Sequence, residues 1–197
     1  RRRSSDDIHI LLNDRIIKIE GVTCHKVDLS CLVKVREMIN KIKPDLIIHT
    51  AGFTNVDGCE FDPEKSLISN VKVASNLAKA CSKYGIKLVH ISTDHLFDGL
   101  TQYKSEIEET KPQNVYGRHK GEAEKKVLNA NPEVLIVRSN FFGWGPSYRR
   151  SISDLVIDSL KNSINLQMFD DVFFTPISIK SLIELPLLIN VSFFLLL

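Results

Sequence analysis

The sequence predicts an α/β fold: a doubly wound parallel sheet in three αβα layers, incomplete on its N-terminal side and followed by the start of a smaller lobe. Three observations carry this. Short continuous apolar runs recur at "DLIIHTAG", "IKLVHISTD" and "EVLIVRSN". Segments of helical period separate them. Each run closes on small or polar residues. Alternation of this kind implies right-handed βαβ crossovers and a parallel sheet, whose ligands bind beyond the carboxyl ends of the strands.

The rhythm begins at residue 30. Ser30 can cap a helix whose apolar residues Leu32, Val35, Ile39 and Ile42 follow a 3.6-residue period, and Pro44 stands just past its end. "DLIIHTAG" then reads as a strand buried on both faces. In "DPEKSLISNVKVASNLAKACSKYG", Asp62 suits the N-cap, Pro63 the first helical position and Gly85 the C′ position. Its inward stripe is Leu67, Val71, Ala74, Leu77, Ala78 and Cys81. "IKLVHISTD" is the second buried strand, a polar loop with Gly99 and Pro112 follows, and a helix opens at "VYGRHKGEAE". "EVLIVRSN" is the third strand. Residues 1–140 form the expected sheet domain and 141–197 a partial second lobe.

Composition narrows the function classes. The 26 basic and 24 acidic residues leave a net charge of +2, which predicts no nucleic-acid partner, and the clusters Arg1–Arg3 and Arg149–Arg150 are too short for polyanion-binding arms. The four cysteines, Cys24, Cys31, Cys59 and Cys81, show no CxxC spacing and no paired His ligands. They read as reduced, mostly buried thiols of a cytoplasmic protein, with no metal site. "LPLLINVSFFLLL" (185–197) is apolar but broken by Pro186 and Asn190, and shorter than the ~20 residues of a membrane helix, so no membrane association is expected. A dinucleotide-binding sheet normally begins with a glycine-rich turn that holds the pyrophosphate at a helix N-terminus. No such turn precedes residue 30.

Three constellations can carry chemistry. Tyr116, Lys120, Ala123 and Val127 fall on one helix face, so a lysine shares the stripe that turns inward. Desolvating an ammonium is costly unless it is paired. A cation one turn from a phenol lowers its pKa from about 10 and lets it serve as a general acid toward a carbonyl receiving a hydride. An amphipathic Tyr beside a snorkelling Lys produces the same spacing, and spacing alone leaves both readings open. Ser92, Thr93 and Asp94 follow a buried strand directly, where hydroxyls reach a ligand or simply form a turn. Ala51 and Gly52, in "HTAGF", allow close backbone approach by a flat ligand.

Together these residues resemble the extended short-chain dehydrogenase/reductase family, and within it the dTDP-4-dehydrorhamnose reductase branch, which also includes the regulatory β subunit of methionine adenosyltransferase. The resemblance runs from about Val27 to Ile183. Its strongest part holds Phe97, Asp98, Gly99, Tyr103, Glu106, Pro112, Asn114, Tyr116, Gly117, Lys120, Ala123 and Glu124 in the family's order. It implies a Rossmann-like fold that binds NADP(H) or NAD(H) and reduces a nucleotide-linked 4-keto sugar, and it is compatible with a homodimer. It further implies that Tyr116 donates the proton, that Lys120 lowers its pKa and bonds the nicotinamide ribose, and that Thr93 bonds the substrate carbonyl, flanked by Ser92 and Asp94. Asp28 and Leu29 would lie against the adenine, and Ala51, Gly52 and Phe53 against the ribose and phosphate region. Phe141 and Thr175 would meet the substrate, and "DDVFFTPISIKSL" (170–182) would lead into the substrate lobe. Asn70 would support the active-site backbone, and Arg1–Arg3 would follow the second strand. The same resemblance admits a non-catalytic regulatory subunit that binds NADP and a partner enzyme; a dehydratase or epimerase would need further acid/base residues that find no place here.

Overall fold

In the computed structural model, residues 7–13, 19–145, 150–168, 170, 176–182 and 195–196 are described, and within them parallel strands alternate with helices. Strand β1 (His9–Leu12) pairs in parallel with β2 (Thr23–Lys26). Helix α1 (Leu32–Ile42) leads to β3 (Leu46–His49). The short α2 (Val56–Phe61) is followed by α3 (Pro63–Ser66), a π-helical turn (Leu67–Lys72) and α4 (Val73–Tyr84), which run on without a break. Then come β4 (Lys87–Ile91), α5 (Val115–Ala130), β5 (Leu135–Arg138), β6 (Asn140–Phe142), α6 (Ile152–Lys161), β7 (Pro176–Ser178) and β8 (Leu195–Leu196).

The main sheet has the order β3-β4-β5-β8, every pair parallel. Leu88 and Ile136 on one face pack against Val71, Ala74, Ala78 and Cys81 of the long helix and Ala123 and Val127 of α5. On the opposite face, Val89, Leu135 and Val137 meet Leu182, with Ile177 packed alongside. A second cluster, Val27, Leu29, Val35, Ile39, Val73, Leu77 and Ala80, receives both Leu11 of β1 and Ile47 of β3. The β1–β2 pair and the main sheet therefore share the cover formed by α1 and α4. The doubly wound parallel α/β fold expected from the apolar runs is the fold observed.

Several local expectations hold for the reasons given. Asp62 accepts a hydrogen bond from the Lys65 N–H, with Pro63 behind it. Gly85 ends α4 in the left-handed region, at φ 65°. Others need correction. Ser30 does not cap α1: Cys31 stands at the N-cap without a side-chain bond, and the Ser30 hydroxyl donates to Asp28 Oδ1 at 2.6 Å. Leu67 is 39 % exposed at the start of the π-helical turn, while Val71 of the expected stripe is buried, as is Asn70 beside it. The two-sided burial expected of all three strands is right for β4 and β5 but not for β3, where Ile48 is 48 % exposed. Strand β3 lies at the edge of its sheet, and only its Ile47 and His49 side faces the helices.

All four cysteines are free; Cys59 and Cys81 are buried, Cys24 and Cys31 half-buried. Burial pushes the Cys81 thiol up to about 12. No helix among the described residues is long and apolar enough to cross a membrane. Of the apolar final stretch only Leu195–Leu196 is described, as a strand beside β5. Arg1–Arg3 and Thr175 lie outside the described residues.

Candidate active site

The site is built around the N-terminus of α5. Asn114 caps it in extended conformation and accepts from the Gly117 N–H at 2.7 Å. The Val115 N–H, the next of the unpaired amides at a helix start, donates to Glu60 Oε1 of α2 at 2.6 Å. Gly117 allows this helix end to seat against the 95–112 loop: a Cβ there would lie 2.4 Å from the His95 carbonyl oxygen and 3.0 Å from Pro112. We expect Gly117→Ala to cost ~1–3 kcal/mol of stability in denaturant unfolding, because backbone must move to admit the methyl group. An unchanged midpoint would contradict that packing.

Tyr116 then enters the core at 8 % exposure, among Cys59 and Val115 with Phe53 and Val56 alongside, and its ring meets His95 edge-on at 5.6 Å. Its phenol is hydrogen-bonded with Thr93. Burial raises the pKa of Tyr116; the Thr93 bond opposes this, and Asp94 and Cys59 add to the rise. The direction is thus set by burial, and Lys120 is not among the groups that move the Tyr116 phenol.

Lys120 is 6 % exposed, one helical turn further on. Its Nζ donates to the Ile91 carbonyl at the end of β4, at 2.7 Å. Burial lowers its pKa to about 8, opposed by Glu124. Glu124 is itself engaged by Arg138 at the end of β5, through three contacts of 2.8–3.1 Å. The snorkelling alternative is thereby excluded for Lys120: the ammonium points inward to a strand end.

Around this pair stand most of the residues singled out in the sequence. Ser92 is buried, its N–H donating to the Val137 carbonyl, and its Oγ has no partner among the described residues. Thr93 is buried and accepts from the His95 N–H. Asp94 accepts from Asn140 Nδ2 at 3.2 Å, which ties the start of β6 to the site and brings the half-exposed Phe141 next to it in sequence. The loop Ala51–Phe53 is exposed at its first two residues and held by Asn70 from the π-helical turn: the Phe53 N–H donates to Asn70 Oδ1, and Asn70 Nδ2 donates to the Phe53 carbonyl. A Cβ on Gly52 would lie 2.8 Å from Asn70 Oδ1, so glycine is required for this clamp.

Asp28 and Leu29 follow β2 and lie outside this cluster. Leu29 is a core residue whose carbonyl accepts from Asn76, and Asp28 bonds the Ser30 hydroxyl and N–H, which hold its carboxyl below the usual carboxylate range. Asp28 lines an open cleft of about 550 Å³ with Asn13, Lys26, Lys34 and Lys41, formed only by the β1–α1 segment.

Sequence reasoning missed Glu60, His95 and the Glu124–Arg138 pair as parts of this site. Asn114 could have been read from its cap position before "VYG"; Glu60 carries no local signal, because the helix it serves begins 55 residues later.

Residues 6–189 match the model of the RmlD substrate binding domain. The chain is 35 % identical over 159 residues to the probable low-salt glycan biosynthesis reductase Agl14 of Haloferax volcanii, covering 77 % of this chain and 52 % of that protein. It is 32 % identical over 152 residues to the dTDP-4-dehydrorhamnose reductase of Salmonella typhimurium, covering 76 % and 50 %. The chain thus spans about half the length of these relatives. Among solved structures it superposes on a dTDP-4-dehydrorhamnose reductase from Clostridium acetobutylicum with a TM-score of 0.75 at 30 % identity, over 85 % of this chain and 61 % of that one. For the Bacillus anthracis dTDP-4-dehydrorhamnose reductase, solved in complex with NADP, the TM-score is 0.80 at 26 % identity, over 89 % and 63 %. The matched span covers nearly the whole chain, and the chain belongs to the RmlD substrate binding domain family.

Proposed function

We propose that the protein carrying this chain reduces a nucleotide-linked 4-keto sugar at the expense of NADH or NADPH, with Tyr116 as the proton donor. The observation that carries the reading is the buried Tyr116–Thr93 contact beside an inward Lys120 at the carboxyl end of β4. Reductases of this family supply the similarity, and one of them binds NADP.

The residues present fit the nicotinamide half of such a cofactor. Ser92 Oγ is buried and unpartnered, Lys120 Nζ keeps donors beyond the one given to Ile91, and the Ala51–Phe53 backbone is exposed and braced. When bound, the cofactor supplies the hydride. Thr93 holds the carbonyl oxygen of the sugar, and Tyr116 delivers a proton from its hydroxyl to that oxygen as negative charge develops there. A phenol with a raised pKa stays protonated in the resting site, as a donor must. Lys120, cationic below about pH 8, stabilises the phenolate left behind. Asp94 and Phe141 stand where the sugar nucleotide enters, and Thr175 is assigned to the same side from the family pattern. We assign residues 1–140 to the cofactor and 141–197 to the sugar nucleotide.

The pyrophosphate half is a different matter: no glycine-rich turn occurs in these 197 residues. Calorimetric titration of this chain with NADPH is expected to show no micromolar binding, and binding at that level would refute the dependence on such a turn. The function itself is tested by joining the chain to a glycine-rich βα unit and following NADPH consumption with a dTDP-4-keto sugar. Turnover supports the reading. NADP binding without turnover on any such sugar would replace it with the regulatory-subunit reading.

A further inference from the structure

His49, the last residue of β3, and His90 of β4 are register partners on the helix-facing side of the sheet. Both rings are buried, with centroids 4.9 Å apart and planes 28° from parallel. Their Nδ1 atoms lie 2.8 Å from one another. A hydrogen bond between two Nδ1 atoms needs a proton on one and a lone pair on the other. Two neutral rings can share it only as opposite tautomers, and two charged rings cannot share it at all. Neither Nε2 has a partner among the described residues; a neutral pair presents an N–H from one and a lone pair from the other to the interior.

The charged groups facing the pair come from α5 and β5. Burial, reinforced by Lys120, depresses the basicity of both rings, and Glu124 is paired with Arg138. The long helix buries the neutral Ser66, Asn70 and Asn76 and the Cys81 thiol, which burial keeps protonated, while its Lys72, Lys79 and Lys83 are exposed. The residue after His90 is Ile91, whose carbonyl receives the Lys120 ammonium.

We propose that His49 and His90 form a neutral, proton-sharing clamp that positions Lys120, fixing the end of β4 so that the Ile91 carbonyl meets the ammonium while a second positive charge is kept out of the site. These are positioning residues acting through Lys120. The proposal deepens the reductase reading, which gives Lys120 its chemical purpose. The clamp itself is a property of this chain and can be read without turnover.

The experiment is two-bond ¹H–¹⁵N spectroscopy of the histidine rings in the 197-residue chain, followed from pH 8 to about pH 5. Two rings are expected in fixed opposite tautomers that do not titrate over this range. Titration of the Lys120 side chain completes the test. Its midpoint should move by about half a unit or more in His90→Leu and return in His49→Asn/His90→Asn, where two amides rebuild a neutral hydrogen bond. Packing alone would alter stability in these variants and leave that midpoint in place.

Identical tautomers, titration of either ring in the wild type, or an unmoved Lys120 midpoint in His90→Leu would overturn the clamp. If a variant fails to fold, the wild-type tautomers still decide. A protein with the clamp but no reductase activity would count against the function alone.

Discussion

Tyr116→Phe lowers turnover by ~10²-fold or more, in a protein that joins this chain to a nucleotide-binding turn, while the affinity for NADPH stays near its original value. The substitution removes one oxygen and nothing else. The ring keeps its packing on Cys59, Val115 and Phe53 and its edge contact with His95, so the fold tolerates the change. What disappears is the proton aimed at the carbonyl oxygen and the hydrogen bond shared with Thr93. Because burial makes the phenolate costly, the reaction depends on a cation nearby, and Lys120 holds its proton only below about pH 8. The wild-type rate is therefore expected to fall as the pH rises through 8, a limb that steady-state kinetics would resolve. Wild-type turnover by the phenylalanine variant would remove Tyr116 from the mechanism.

Acidification from pH 7 to pH 4 lowers the unfolding free energy by ~3 kcal/mol or more through the buried histidine pair. In the folded chain burial, reinforced by Lys120, pushes His49 down to about 3, and His90 moves in the same direction. In the unfolded chain both rings bind a proton near pH 6.5. Between these limits the unfolded state holds more protons than the folded one, so stability is complete above pH 6.5 and is lost as the pH falls toward 3. The carboxylates held low, Asp28, Glu108 and Asp154, add to the loss only at the acid end of this window, near and below pH 4.5, where they take up protons in the unfolded chain. Denaturant midpoints across the range, compared with those of His49→Asn/His90→Asn, check the attribution, since the double variant should lose most of the slope above pH 4.5. An equal slope in both proteins would assign the acid sensitivity elsewhere.

The parallel sheet was legible because burial on two faces forces continuous apolar runs, and β4 and β5 show them in "LVHI" and "LIVR". Strands β1 and β2 were not foreseen: each has four residues, half-buried, with His9, Cys24 and His25 among them, so neither a run nor an alternation stands out. The π-helical turn was equally silent. It leaves Leu67 half-exposed while the expected Val71 and Asn70 stay buried, and no residue in "LISNVK" marks a change from the ordinary helical period.

The same division runs through the site. Helical spacing placed Tyr116 and Lys120 on one inward face, and strand ends placed Ser92, Thr93 and Asp94 beside the sheet's edge, because both follow from local geometry within one element or its border. Those elements and the family are written in the chain's order of residues. The direction of the Tyr116 pKa shift, the seat of the Lys120 ammonium on Ile91, the Glu60 carboxylate on α5 and the pairing of His49 with His90 were decided by the tertiary structure. Each depends on desolvation or on partners 29 to 55 residues apart, and neither the degree of burial nor the approach of distant strands exists until the sheet and its helices have closed together.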